Sequence, residues 1–263
     1  MTIQKWWAKY RAQQPITLLT AYDATMARLI EMAEADGVLV GDSLMHTFFG
    51  ESSTVSMQLA DMLYHTRAVK NGVSHTMIIA DMPFMTYGIS VEDTLRNAAA
   101  LIQAGATAVK CEVRANHVPM IARLIQEGIP VMGHIGVQPQ YIHEAGGYSL
   151  KGGSESEAAA LMALARQLSD VGVFAVVLEK VPMDVSREIR DAIHCPTIGI
   201  GAGPHCSGQV LVTQDVLGLT PNFSPKFVKK YMDGTHQIVS ALKAFKQDVD
   251  TRVFPTEANG YTR

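Results

Sequence analysis

The sequence contains only three cysteines, Cys111, Cys195 and Cys206, and no CxxC pair. An odd, widely spaced set excludes a disulfide scaffold and gives no zinc-binding spacing. Charged residues make up 18% and aromatic residues 7% of the chain. Lys and Arg number 22 against 25 Asp and Glu, the formal net charge is -3, and no long basic run occurs. That is not the balance of a nucleic-acid binder, which needs a basic face to meet phosphates, and no Lys/Arg run supports a local basic patch. No uninterrupted apolar stretch reaches the ~18 residues of a membrane span. Met1 to Gln14 mix Lys5, Lys9 and Arg11 with Trp6, Trp7 and Tyr10, so no apolar signal-peptide core is present there. The expectation is a cytoplasmic protein with neither membrane nor nucleic acid as partner.

What the chain does have is apolar residues, 48% of 263 positions, enough for a large core and too many for disorder. They fall in eight short runs: Ile16–Thr20, Val38–Gly41, Met77–Ala80, Ala108–Glu112, Val131–Ile135, Phe174–Glu179, Thr197–Gly201 and Val210–Thr213. Short runs rich in Val, Ile and Leu read as strands buried on both faces of a parallel sheet. Helix signals lie between them. Ser90 precedes Asp93 by three positions and Ser154 precedes Glu157 by three, both capping-box starts. Gly105, Gly128 and Gly172 stand where helices hand over to strands, and Pro130 and Pro196 open strands. Eight such alternations predict one (β/α)8 barrel over residues 1–263, with residues 1–14 a cap on its floor and 249–263 a tail. The last helix is expected from Lys226 to about Asp248. A doubly wound open sheet is the alternative, but no GxGxxG follows the first run.

Active sites of (β/α)8 barrels lie at the C-terminal strand ends. The runs end on, or carry, Asp42-Ser43, Asp81, Lys110, Glu112, His134 and Glu179. Alone, Asp42 or Asp81 reads equally as a helix cap or a lysine partner. Together with Glu112 they make three clustered acids, which repel unless a cation sits among them, and hard oxygen ligands suit Mg²⁺. Lys110 and Glu112 alternate around Cys111 and so share one face, as an interior ion pair or as a grip on an anionic substrate. Glu179 follows Val176-Val177-Leu178, an apolar setting expected to raise its pKa as a general base requires. A salt bridge to Lys180 or Arg187 is the competing reading. His134 reads as a substrate contact or a hydrogen-bonded core residue. The stretch from Gly199 to Gly208 could cradle phosphate, but no GK[ST] follows, and relief of crowding at the mouth is preferred.

The ordered set Thr17–Asp23, Val40-Gly41-Asp42-Ser43-Leu44, Tyr64–Val69, Ala80–Met85, Val109-Lys110-Cys111-Glu112, Gly133–Gly136, Gly146-Gly147-Tyr148, Val177–Glu179, Ile198–Gly203, Gly208–Val212 and Pro225–Phe227 resembles the ketopantoate hydroxymethyltransferase family, colinearly over most of the chain. The resemblance implies a Mg²⁺-dependent barrel, akin to the phosphoenolpyruvate-binding barrels. It would form a homo-oligomer, decameric in many bacterial members. Its reaction joins a one-carbon unit from 5,10-methylenetetrahydrofolate to 3-methyl-2-oxobutanoate, giving 2-dehydropantoate for pantothenate biosynthesis. By the same resemblance Asp42, Asp81 and Glu112 are metal residues, and Asp42, Ser43, Asp81, Lys110 and His134 contact the oxo acid. Glu179 is the proton acceptor. The competing classes are a metal-dependent lyase or mutase of the phosphoenolpyruvate mutase/isocitrate lyase group and a non-catalytic oligomeric paralogue. The chain departs from the family pattern at Met45-His46, in the aromatic Thr47–Glu51, at Val55–Gln58 and at Val113-Arg114. The segment from Met45 to Glu51 is expected to tune the choice of oxo acid.

Overall fold

The computed structural model describes residues 1–221 and 225–263. Each apolar run forms a parallel strand: β1 (Ile16–Thr20), β2 (Gly37–Val40), β3 (Met77–Asp81), β4 (Ala108–Glu112), β5 (Val131–Gly136), β6 (Ala175–Glu179), β7 (Thr197–Ile200) and β8 (Gly208–Leu211). They follow chain order around a closed barrel, and β8 returns to pair with β1 from Ile16↔Gly208 to Leu19↔Leu211. This is the expected barrel. Closure leaves no open edge, which removes the doubly wound alternative.

Helices α1 (Ile3–Arg11), α2 (Ala24–Met32), α3 (Leu44–Thr47), α4 (Leu59–Gly72), α5 (Val91–Gln103), α6 (Val118–Gln126), α7 (Ile142–Ala145), α8 (Glu155–Asp170) and α9 (Met183–Ala192) precede or link the strands. The expected starts hold: Ser90 accepts the Asp93 N–H at 3.0 Å, and Ser154 and Glu157 cap each other reciprocally. Gly105, Gly128 and Gly172 adopt φ of 113°, 84° and 92°, the left-handed turn that ends a helix.

Strand alternation separates two apolar layers. Leu18, Leu39, Met77, Ile79, Ala108, Met132, Val177 and Ile198 fill the barrel interior. Val38, Val40, Ile78, Ala80, Val109, Cys111, Val131, Val176 and Leu178 face outward onto helix residues such as Ile30, Met62, Leu101, Ile121, Leu124, Leu168 and Ile189. Trp6 of α1 is fully buried in the interior cluster, its ring edge-on to Phe174 at 5.7 Å. Following the inward positions up each strand leads from apolar floor to polar mouth. Asp81 shares the face of Met77 and Ile79, Lys110 and Glu112 that of Ala108, His134 that of Met132, and Glu179 that of Val177.

Two boundaries differ from expectation. The eighth run pairs over Gly208–Leu211, and Thr213 already opens a helix. The last helix begins at Gly234, not Lys226. Before it, the N–H groups of Tyr231 and Gly234 bond Val216 O and Leu217 O at 2.8 and 3.0 Å, so they are taken by another segment and cannot extend an i→i−4 ladder backward.

Residues Met1–Val212 form one compact unit and Thr213–Arg263 another. The second holds α10 (Thr213–Val216) and α11 (Gly234–Asp250). On α11, Ile238, Leu242, Phe245 and Val249 are 44%, 62%, 57% and 45% exposed and lie on one face by their helical spacing. Among the described residues no helix is long and apolar enough to cross a membrane.

Candidate active site

Strand register brings the predicted residues side by side. Asp81 lies opposite Lys110 across β3 and β4, Glu112 opposite His134 across β4 and β5, and Gly136 opposite Glu179 across β5 and β6. Gly136 has φ +97°, and a Cβ there would meet Glu179 O at 2.3 Å, so glycine alone allows the two strand ends this approach. Asp42 and Ser43 follow β2, and the Asp42 N–H donates to Asp81 Oδ2 at 3.0 Å. All seven predicted residues therefore belong to one strand-end cluster, and Ser43 Oγ lies 2.9 Å from Tyr22 Oη. Gly41 sits beside them; a side chain there would meet Ser43 Oγ at 2.9 Å.

The cluster is almost dry. Asp42, Asp81, Lys110, Glu112 and His134 are all buried. Lys110 Nζ lies 2.9 Å from Asp81 Oδ1 and 3.3 Å from His134 Nδ1. The Asp81 approach is an ion pair off the hydrogen-bond direction, which leaves Oδ1 without an aligned donor. Burial, followed by the Asp42 charge, raises the Asp81 carboxyl to about 7 although Lys110 pulls the other way. Burial disfavours charge on Lys110, but Asp81, Asp42 and Glu112 surround it and raise its pKa, so it keeps its proton. Burial, then Asp42, push Glu112 well above the ordinary carboxylate range. Its Oε1 has no hydrogen-bond donor and lies 3.7 Å from His134 Nδ1.

Burial and the Lys110 charge lower the pKa of His134, which favours the neutral ring. An ammonium can only donate, so Nδ1 is the accepting nitrogen and Nε2 carries the proton. Nε2 lies 3.4 Å from Glu179 Oε2 but makes no aligned hydrogen bond. The Glu179 side chain keeps 17% exposure. Of the apolar neighbours in its strand, Val177 shares its inward face, while Val176 and Leu178 face the outer layer. Lys180 donates to Tyr148 O at 3.0 Å and Arg187 contacts His205.

Gln140 and Tyr87 were not singled out by sequence. Gln140 follows β5 in a short 3-10 turn, Pro139–Tyr141, and is 2% exposed. Its Nε2 donates to Asp42 Oδ2 and Met82 O, each at 3.0 Å, and its N–H to Glu112 Oε2 at 3.0 Å. Tyr87 Oη is 2.9 Å from Gln140 Oε1 and 3.0 Å from Glu112 O. Extending the strand-end rule four residues past β5 would have reached Gln140. Among the described residues no three His, Cys, Asp or Glu side chains converge as a ready metal centre. Of the divergent segment, Met45 is buried, His46 meets the Tyr148 ring edge-on, and Phe48 and Phe49 pack on each other and on His65 at the surface.

Fold and site together define an enzyme-like barrel whose inward strand ends carry an acid-rich, lysine-bearing mouth. Solved barrels of this kind include phosphonopyruvate hydrolase in complex with oxalate and Mg²⁺ (TM-score 0.63, 13% identity, covering 100% of this chain and 92% of that one). Another is 2,3-dimethylmalate lyase of the phosphoenolpyruvate mutase/isocitrate lyase superfamily (TM-score 0.60, 16% identity, covering 100% and 92%). These share the fold. The family model described as ketopantoate hydroxymethyltransferase matches residues 1–257, and the chain belongs to that family. It is 46% identical over 243 residues to the 3-methyl-2-oxobutanoate hydroxymethyltransferase of Pyrobaculum arsenaticum, covering 92% of each. It is 43% identical to that of Thermosipho africanus, covering 98% of this chain and 97% of the other.

Proposed function

We propose that this chain transfers a hydroxymethyl group from 5,10-methylenetetrahydrofolate to 3-methyl-2-oxobutanoate, giving 2-dehydropantoate in the cytoplasm. The observation that carries the reading is the buried cluster of Asp42, Asp81, Lys110, Glu112 and His134, with Glu179 at its rim, in a chain of this family. Asp42, Asp81, Glu112 and Glu179 outnumber the one lysine among them, and Asp81 Oδ1 and Glu112 Oε1 are buried without an aligned donor. Hard oxygens in negative surplus fit magnesium, which takes one or two carboxylates and completes its shell with water and substrate oxygens. Asp42 and Asp81 would hold it, with Glu112 as the third acid of the set. When bound, the ion supplies the positive charge that stabilises the enolate of a 2-oxo acid.

The chain's own residues do the rest. Lys110 stays protonated and offsets the substrate carboxylate. Ser43, oriented by Tyr22, offers a hydroxyl to the oxo acid. His134 Nε2 stands 3.4 Å from Glu179 Oε2, so a small shift would bring its N–H onto that carboxylate. Glu179 takes the C3 proton, C3 bonds the methylene carbon, and that carbon's bonds to the two folate nitrogens break as one water supplies the hydroxyl, releasing tetrahydrofolate. The stripe of Ile238, Leu242, Phe245 and Val249 supports self-association, with a decamer the number that the resemblance implies.

The test is an assay with Mg²⁺, methylenetetrahydrofolate and a panel of branched 2-oxo acids. The expected result is 2-dehydropantoate from 3-methyl-2-oxobutanoate, dependent on the folate. Turnover of an oxo acid indifferent to tetrahydrofolate would favour a lyase or mutase instead.

A further inference from the structure

Gln140 ties together the ends of four consecutive strands. Its side chain reaches Asp42 after β2 and Met82 after β3, its backbone N–H reaches Glu112 on β4, and it sits in the turn after β5. Every one of these partners is an acceptor. The amide can satisfy Asp42 Oδ2 and Met82 O only if Nε2, not Oε1, faces them. Those two acceptors impose that choice, and Tyr87 supports it. The Glu112 N–H donates to Tyr87 Oη at 3.2 Å, and the single phenolic proton has Gln140 Oε1 at 2.9 Å and Glu112 O at 3.0 Å as acceptors. With the amide reversed, an oxygen would stand against Asp42 Oδ2 and Met82 O, and the bond from the Tyr87 hydroxyl to Oε1 would be lost.

The consequence falls on Asp42. One oxygen is held by a neutral donor, and among the described residues no hydrogen bond engages Oδ1. A lysine or arginine in the place of Gln140 would orient the same carboxylate but compete with a cation for its charge. A neutral amide fixes the direction and leaves the charge in place. We propose that Gln140, its amide supported by the Tyr87 hydroxyl, is the positioning residue of the carboxylate site and holds Asp42 ready for a divalent cation. This inference rests on the reading that these carboxylates bind such a cation.

Manganese is the probe, because free Mn²⁺ is counted directly by its electron paramagnetic resonance signal in a titration of the purified protein. Wild type, Gln140→Leu and Tyr87→Phe are compared, with thermal unfolding followed by circular dichroism. Loss of a partner behind a metal ligand weakens metal binding by about 10–100-fold. That loss is expected for Gln140→Leu, and a smaller one for Tyr87→Phe, which keeps its ring packing and a near-wild-type unfolding midpoint. Steady-state kinetics at saturating Mg²⁺ should recover more of kcat in Tyr87→Phe than in Gln140→Leu. A residue that merely stabilised the fold would move the midpoint and leave Mn²⁺ affinity unchanged. Wild-type affinity in both folded variants overturns the inference. Should Gln140→Leu fail to fold, wild-type affinity in Tyr87→Phe overturns it alone. A wild type that takes up no Mn²⁺ would overturn the metal reading, and this inference with it.

Discussion

Asp81 and Lys110 stand 2.9 Å apart with 2% and 6% of their side chains exposed, so each depends on the other for its charge. Removing one partner of a buried pair leaves the other uncompensated, typically at a cost of about 3–5 kcal/mol. Asp81→Asn is therefore expected to lose both activity and stability, the latter toward the low end of that range because Asp42 and Glu112 also face Lys110. The double variant Asp81→Asn/Lys110→Met should regain stability in urea unfolding and remain inactive. Recovery of activity in the double variant would show that neither charge is needed for the chemistry. Asp81 was legible in the sequence because it ends an apolar run, and Lys110 because period-two alternation puts it on one face with Glu112. Gln140 was not: its partner Asp42 lies 98 positions away, and only closure of the barrel brings them together.

At the scale of elements, turns between helices and strands carry their own electrostatics. Glu31, near the end of α2, accepts the N–H groups of Ser74, His75 and Thr76 and the Thr76 hydroxyl, ahead of β3. Desolvation opposes its charge, but these donors outweigh it and hold the carboxyl at about 2, below the ordinary 4.5. A carboxyl lowered by folding adds stability that is fully present above pH ~4.5 and lost as pH falls through about 2. Solvent screens a site this open, so the contribution is expected to be about 1 kcal/mol. Glu31→Gln should unfold more easily at pH 7 by that amount, and the gap to wild type should close in acid. A gap independent of pH would refute the assignment. Strand limits were read well from apolar runs: β1 and β4 match residue for residue, and others shift by one or two. The start of α11 was misjudged because its upstream N–H groups bond Val216 and Leu217, partners that local sequence does not reveal.

The whole molecule uses eight strands as a frame that points a few side chains at one place. Its second unit carries an exposed apolar stripe, of which Phe245 packs on Phe254 at 5.7 Å, and self-association is the proposed use of the rest. If the stripe mediates self-association, Leu242→Asp with Phe245→Asp should lower the mass in analytical ultracentrifugation, and an unchanged mass would contradict that use. The eight-run pattern made the barrel legible, and the strand-end rule made the site legible. The reaction itself came through family resemblance, because burial and distance define an acid-rich mouth without naming its substrate. The central claim is that this mouth removes a proton from C3 of a branched 2-oxo acid, with Glu179 as acceptor. The most direct measurement is proton magnetic resonance of 3-methyl-2-oxobutanoate in deuterated buffer with Mg²⁺ and no folate. Wild type should replace the C3 proton by deuterium, and Glu179→Gln, folded and metal-loaded, should not. Exchange at the wild-type rate in Glu179→Gln, or none in wild type, would contradict the account.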